Sequence, residues 1–326
     1  MQAQISVIIP NYNGIKFLED CVDSLMDQTF HSFEIILVDD CSDDGAMQAL
    51  EKKYPDNGSF PRTHYLYHDT NSGFARSVND GIEASSAEYV ILLNNDTKAD
   101  RNFVGRMYKA ISSHSDVFSI SAKMLSMSNP DIMDDAGDYY SALGWAFSPA
   151  KDKPASMYDK ASYIFAACGG AAVYRKEALL ALGGFDNRHF AYLEDIDLGY
   201  RARLYGWKNV YFPGASVLHA GSGTSGSRHN KFKVTLSSRN NIYLIYKNMP
   251  NWQILLNLPF FIAGFGVKTV FFTIKGLGLT YLGGLLEGFR MCRQAGKSAR
   301  VDFKRIPAGR IWALEGELLL NILRRF

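Results

Sequence analysis

Glu194, Asp195 and Asp197 fall within the segment GGFDNRHFAYLEDIDLGYRAR (183–203), framed by Phe190, Tyr192, Leu193, Ile196, Leu198 and Tyr200. Acids are seldom buried unless they are paired or used chemically. A carboxylate held among apolar side chains binds its proton more tightly, which suits a general base working near neutral pH. The same acids also suit the first turn of a helix, where the dipole favours negative charge.

Three further polar groups follow apolar runs directly. Pro10, Asn11 and Asn13 close ISVIIPNYNG, Asp39 and Asp40 close FEIILVDD, and Asn94-Asn95-Asp96-Thr97 closes YVILLNNDT. An acid among amide oxygens can bind a hard divalent cation whose shell phosphate oxygens complete, although a plain Asx turn has the same composition. The Asp39 and Asp40 carboxylates can accept hydrogen bonds from a nucleobase or a ribose hydroxyl, or they can cap a strand-end turn. His219 ends a fourth apolar run, just before a Gly/Ser-rich loop at 221–226. Its imidazole is either a metal ligand or a structural group.

The elements that must position these groups can be read from periodicity. Runs at 5–10, 33–38, 63–67 and 89–93 are strand-like, and helical spacing falls at 15–28, 46–54 and 73–84. Strands without polar alternation, alternating with helices, predict a mainly parallel α/β sheet covered on both faces. Ligands of such sheets bind beyond the carboxyl ends of the strands, where all three polar clusters lie. Residues 121–165, with Pro130, Pro149 and Pro154, read as an insertion or a short antiparallel piece. Further strands are expected at 166–174 and 209–219, with a helix from Lys176.

The chain has 326 residues and a formal net charge of +2, which carries no nucleic-acid signature. Its four cysteines have neither zinc-ligand nor redox spacing. The sequence enters a strand at once, without a basic-then-apolar leader, so a cytosol-facing protein is expected and the sequons at Asn57 and Asn95 read as chance. Two glycine patterns, at 221–226 and 296–298, lack the flanking residues that a dinucleotide or phosphate loop requires.

Residues 248–267 carry no charge, but Pro250, Asn257, Pro259, Lys268 and Lys275 punctuate the apolar pattern that continues beyond them. Residues 285–326 hold nine Lys/Arg against four Asp/Glu. Together these predict interfacial or re-entrant helices on an anionic membrane surface, in preference to a buried helical hairpin. The expected division is a catalytic unit at 1–247 and a helical, basic C-terminal region at 248–326.

In order, ISVIIPNYNG, EIILVDDCSDDG, NSGFARSVNDGI, YVILLNNDT, GGAAVYRKEAL, GGFDNRHFAYLEDIDLGYR and HAGSGTS resemble glycosyltransferase family 2, over about residues 3–245. The likeness is to the inverting GT-A class, nearest its bacterial rhamnosyltransferase-like members. It implies a GT-A type, Rossmann-like sheet and transfer of a single sugar, since the Q-x-x-R-W pattern of processive members is absent. By resemblance, Pro10, Asn11 and Asn13 line the nucleotide pocket, Asp39 meets the base and Asp40 supports that loop. Asn94-Asn95-Asp96 stands where the family has its D-x-D motif, with Asn94 in place of the first acid and Asp96 as ligand of Mg²⁺ or Mn²⁺. His219 is a further metal or diphosphate contact, and Arg239 meets the diphosphate. Glu194 and Asp195 match the acceptor-activating acids, with Asp195 as base and Asp197 as a structural acid. The implied partners are a dTDP- or UDP-sugar donor and a lipid-linked (polyprenyl-linked) or cell-surface glycan acceptor, at the cytoplasmic face of the inner membrane. The rivals are a sugar-1-phosphate nucleotidyltransferase, which would carry a basic Gly-rich loop where PNYNG has none, and a catalytically dead glycan-binding scaffold.

Overall fold

The structure is a computed structural model, and it describes residues 3–56, 58, 61–221 and 229–325. The first part alternates β1 (Ile5–Asn11), α1 (Leu18–Met26), β2 (Phe33–Asp39), α2 (Ala46–Lys53), β3 (Arg62–Tyr67), α3 (Phe74–Ala84) and β4 (Tyr89–Leu93). β1 pairs in parallel with β2 and β4, and β2 pairs in parallel with β3. Pro10 has no amide to donate. It is tolerated because β4 pairs with β1 only as far as Ile8, leaving one neighbour strand at that position.

The second part holds β5 (Thr97–Ala99), α4 (Phe103–Ser112), β6 (Val117–Ser126), β7 (Met133–Asp135), β8 (Tyr139–Ser141), β9 (Trp145–Phe147) and β10 (Ser162–Ile164). β11 (Ala171–Arg175), α5 (Lys176–Ala181), α6 (Glu194–Leu204) and β12 (Lys208–His219) follow. The sheet has ten strands in the order β10-β12-β6-β11-β4-β1-β2-β3, with β5 on β12 and β7 on β6. β11 runs antiparallel to both β4 and β6, so the sheet is mixed but parallel over β1 to β4. Residues 121–165 are thus more ordered than an irregular insertion. They complete β6, supply β7 and β10, and form the small β8–β9 hairpin.

Alternating strand residues feed two cores. Ile5, Val7 and Ile9 pack with α1, α2 and α4, whereas Ile8, Ile36 and Val38 pack with α3, α5 and α6. The C-terminal helices are α7 (Lys231–Asn248), α8 (Asn251–Ile274), α9 (Gly278–Ala295) and α10 (Ala308–Arg325), and a third core joins α6 to α7, α8 and α10. α9 lies close on α7 through Gly284 and Gly288. A Cβ on Gly288 would come within 2.6 Å of the Arg239 carbonyl oxygen, so a small residue is required there.

Pro250 and Lys275 do stand at helix ends, but the breaks expected at Asn257, Pro259 and Lys268 do not occur, because Asn251–Ile274 is one 24-residue helix that contains Pro259. The amides of Gln253 and Asn257 instead donate to the buried Glu315 of α10, at 2.7 and 2.8 Å. Polar residues that looked like interruptions therefore serve as contacts between helices. α8 is long and apolar enough to cross a membrane, with a mean hydropathy of 1.7 over its most apolar window. Only 17 % of that window is buried within the protein.

Candidate active site

The parallel ladder brings the strand-end groups together. Register pairs Asn11 with Asp39. Asn11 donates to Asp39 Oδ1 at 2.9 Å and accepts from Asn95 Nδ2 at 2.7 Å, so one buried asparagine links the ends of β1, β2 and β4. Asn13, at φ 50°, accepts from the Asp43 amide and donates its own amide to Ser42 Oγ at 2.9 Å. Asp40 accepts from the amides of Ser72 and Gly73 at 2.7 and 2.8 Å and faces His68 at 2.9 Å, fixing the loop that opens α3. Pro10 lies in β1 beside Val38, and Asn94 holds the Thr97 hydroxyl through its carbonyl.

Asp96 and His219 meet because β5 pairs with β12, with Thr97 opposite His219. His219 Nε2 lies 3.1 Å from Asp96 Oδ1, and Nδ1 lies 2.7 Å from Asp134 Oδ2. Lys151 also pairs with Asp134. Burial disfavours a charged ring, but the hydrogen bonds to Asp134 and Asp96 outweigh it and push the His219 pKa up to about 9. Burial likewise opposes ionisation of Asp134, and the His219 hydrogen bond wins, holding that carboxyl below its usual range. If a cation displaced the Nε2 proton, Asp96 and His219 would offer it adjacent oxygen and nitrogen ligands while Nδ1 stays tied to Asp134, a set that suits Mg²⁺ or preferably Mn²⁺. These residues fit a divalent cation.

α6 opens at Glu194, so its acids do stand in a first helical turn. The loop before it is strained. Phe190, Tyr192 and Leu193 all have positive φ, near 64°, 71° and 68°, which non-glycine residues adopt only when surroundings impose it. Asn240 imposes it, donating to the carbonyls of His189, Ala191 and Tyr192 at 2.7–2.9 Å. Glu194 is buried and its Oε2 has no hydrogen-bond partner. Burial, followed by the charge of Asp195, pushes the Glu194 carboxyl well above its ordinary value. Burial also raises Asp195, whose oxygens accept from the amides of Ile196 at 2.7 Å and Gly169 at 3.4 Å.

Asp197, two residues on, has the opposite environment. It is fully buried and accepts from Arg201 at 2.7 Å, Lys247 at 2.9 Å and Asn248 at 2.7 Å. Burial opposes its charge, yet Arg201 and Lys247 hold its pKa far below the carboxylate range. Asp197 is therefore a structural acid that fastens α6 to α7.

One placement differs from the expectation. Arg239 donates to the carbonyls of Arg188 and His189 and feels the charge of Glu287. Lys233, earlier on α7, feels the Asp96 charge, as His219 does. Sequence reasoning also missed Asp134, Asp135, Asp138 and Cys168. The ligand atoms of Asp135, Asp138 and Cys168 lie within 4.8 Å of one another and could also hold a cation. Burial pushes Asp135 up to about 6, with Asp134 and Asp195 adding to the rise. The spacing Asp134-Asp135-x-x-Asp138 was the available signal. Of the Gly/Ser loop after His219, residues 222–228 lie outside the described residues.

A buried Glu194 and a half-buried Asp195 at the opening of α6, with carboxylates at the strand ends of a mainly parallel sheet, are the arrangement of a GT-A type fold. The model of "Glycosyl transferase family 2" matches residues 6–183, and the chain belongs to that family. A putative teichuronic acid biosynthesis glycosyltransferase of Bacillus subtilis is 33% identical over 121 residues, 37% of this chain and 47% of the relative. An N-acetylglucosaminyl-diphospho-decaprenol L-rhamnosyltransferase of Mycobacterium tuberculosis is 24% identical over 68% of this chain and 78% of the relative. The chain spans less than half the length of two of these relatives, the Bacillus protein and a Streptococcus pneumoniae glycosyltransferase. Among solved structures, residues 1–349 of Staphylococcus aureus TarS with UDP-GlcNAc superpose with a TM-score of 0.60 at 18% identity, covering 99% of this chain and 85% of that one. A Pyrobaculum calidifontis mannosyltransferase with GDP-Man and Mn²⁺ gives 0.57 at 15% identity, covering 100% and 83%. These likenesses establish the GT-A fold.

Proposed function

We propose that the protein is an inverting glycosyltransferase that moves one sugar from a nucleoside-diphosphate donor to a lipid-linked or cell-surface glycan. The observation that carries this reading is the raised, under-solvated acid pair Glu194–Asp195 beside the gathered strand ends. Asp195 is the base. Its carboxylate takes the proton of an acceptor hydroxyl, whose oxygen bonds to the anomeric carbon as the bond to the diphosphate breaks. Attack opposite the leaving group inverts the anomeric configuration. Burial and the charge of Asp195 raise the proton affinity of Glu194, which favours the shared negative charge on the base. Asp96 and His219 would hold a divalent cation, which supplies charge neutralisation for the leaving diphosphate. Asn11, Asn13, Asp39 and Asp40 shape the nucleotide end, with Asn95 bracing Asn11.

The mycobacterial relative's rhamnosyl and diphospho-decaprenol chemistry supports rhamnose as a donor sugar and a polyprenyl-linked acceptor. The TarS complex with UDP-GlcNAc supports a UDP-sugar as the competing donor. The catalytic unit is taken as 1–247. Residues 248–326 act as a monotopic or peripheral mount at the cytoplasmic face, where exposed Leu255, Ile262, Val270 and Ile274 meet acyl chains. The test is release of nucleoside diphosphate from a panel of dTDP-, UDP- and GDP-sugars with Mg²⁺ or Mn²⁺. Metal-dependent turnover of one donor that Asp195→Asn abolishes is expected. No turnover of any donor by well-folded protein refutes the reading.

A further inference from the structure

A cavity of 460 Å³ lies where the loop before α6 meets α7 and α9, and Arg188, Arg239 and Arg290 line it against a single acid, Glu287. Arg239 reaches it because Gly288 lets α9 approach the α7 backbone. Arg188 is offset by Asp186 at 3.3 Å, and Arg239 spends its donors on the carbonyls of Arg188 and His189. Arg290, on the exposed side of α9, is left to face the cavity opening. Toward the start of α9 that exposed side is apolar, and Arg293 closes the stripe one turn beyond Phe289. Leu279, Leu282, Leu286 and Phe289 are 88, 41, 60 and 58 % exposed and recur at helical spacing. A cationic hollow at the rim of an apolar stripe suits a lipid whose phosphate stays at the interface while its chain lies along the helix. The same loop that contributes Arg188 to the cavity ends at Glu194.

We infer that this cavity binds the diphosphate of a lipid-linked acceptor, with the lipid chain along the apolar face of α9. The inference rests on the transferase reading for the word acceptor, but the binding itself does not. Arginine suits the role because its planar fork matches phosphate oxygens in two-point contact.

The test is calorimetric titration of the full chain in neutral detergent with farnesyl diphosphate, in EDTA so that a metal-dependent donor pocket contributes nothing. Arg290→Glu is expected to weaken binding by about tenfold or more, which is about 1.4 kcal/mol. Arg305→Glu, an equal charge change at an exposed position outside the cavity, should change it by less than about twofold. On phosphatidylglycerol vesicles the two variants should lose equally. Equal losses on farnesyl diphosphate, or none from Arg290→Glu, overturn the inference. A selective Arg290→Glu loss on the vesicles alone assigns the cavity to bilayer headgroups and also overturns it. Donor hydrolysis by the unmodified protein, measured separately with Mn²⁺, decides the transferase reading without bearing on the cavity.

Discussion

Replacing Asp197 with asparagine keeps the side chain's shape and removes one charge from a site with no access to water. Asp197 is 0 % exposed, Arg201 5 % and Lys247 7 %, so solvent screening does not reduce the effect. Breaking a buried pair from one side costs about 3–5 kcal/mol, because the partner charge stays buried. Lys247 keeps a second carboxylate, Asp186, at 2.8 Å, and Arg201 keeps the carbonyls of Leu182 and Gly184. Those residual partners put the expected loss at the low end, about 3 kcal/mol. For a domain of this size that is a fall in melting temperature of about 6 °C. The sign with pH follows from the depressed pKa: Asp197 stabilises the fold above its unfolded value and loses that contribution only as pH falls toward its folded value. Thermal melts should therefore show a constant gap between the two proteins from about pH 8 to pH 5, narrowing below about pH 4. A gap under about 1 °C at pH 7 would refute the account of Asp197 as the fastening of α6 to α7.

The remaining predictions concern activity and the membrane. Asp195→Asn should lower turnover by about 10²–10⁴-fold with donor affinity kept, as read by single-turnover kinetics and donor titration. Because burial raises the Asp195 pKa, its base form is lost as pH falls through that raised value, so the acid limb of the rate profile should stand above the ordinary carboxylate range near 4. A limb at or below 4 would exclude Asp195 as the base. Asp96→Ala should weaken metal-dependent donor binding by about tenfold or more in titrations with Mn²⁺, and an unchanged metal requirement would remove Asp96 from the site. Asn240→Ala removes an amide whose two N–H donors are shared among three carbonyls of a strained loop, worth about 1 kcal/mol per hydrogen bond, and should lower kcat far more than it alters donor affinity. Leu282→Glu with Leu286→Glu should cut co-sedimentation with neutral vesicles severalfold, whereas full retention would place α9 away from the bilayer.

Much of this was legible where structure is local. β1, β2 and β4 announce themselves as unbroken apolar runs, and the polar groups at their ends follow from the sheet's direction. The partners that create the Asp96–His219 pair were not legible. They depend on β5 crossing to β12 and on β7 folding back along β6, pairings between segments far apart in sequence. Asp134 reaches His219 only through that second pairing. Arg239 shows a different limit. Six residues separate it from Lys233, so at about 100° per residue the two point about 120° apart on α7 and serve different sites. The α8 proline misled for a third reason, since a helix flanked by α10 and offered a buried acid for its amides can absorb it.

The position of the acid pair is best understood together with Asp197. Within four residues of one helix, the fold drives two carboxyls up and one down. The separation comes from α7, whose Lys247 and Asn248 reach Asp197 while Asn240, two turns earlier, grips the loop ahead of Glu194. α7 thus joins Arg201 of α6 in neutralising the acid that anchors α6, and places no cation whose charge lowers Glu194 or Asp195. A base with raised affinity needs that absence, because a lysine placed beside Asp195 would stabilise its ionised form and weaken its hold on a proton. The third core, which joins α6 and α7 to α8 and α10, also connects this arrangement to the apolar C-terminal surface. Fastened in this way, α6 makes the C-terminal helices part of the framework that holds Glu194 and Asp195 rather than a tether appended to it.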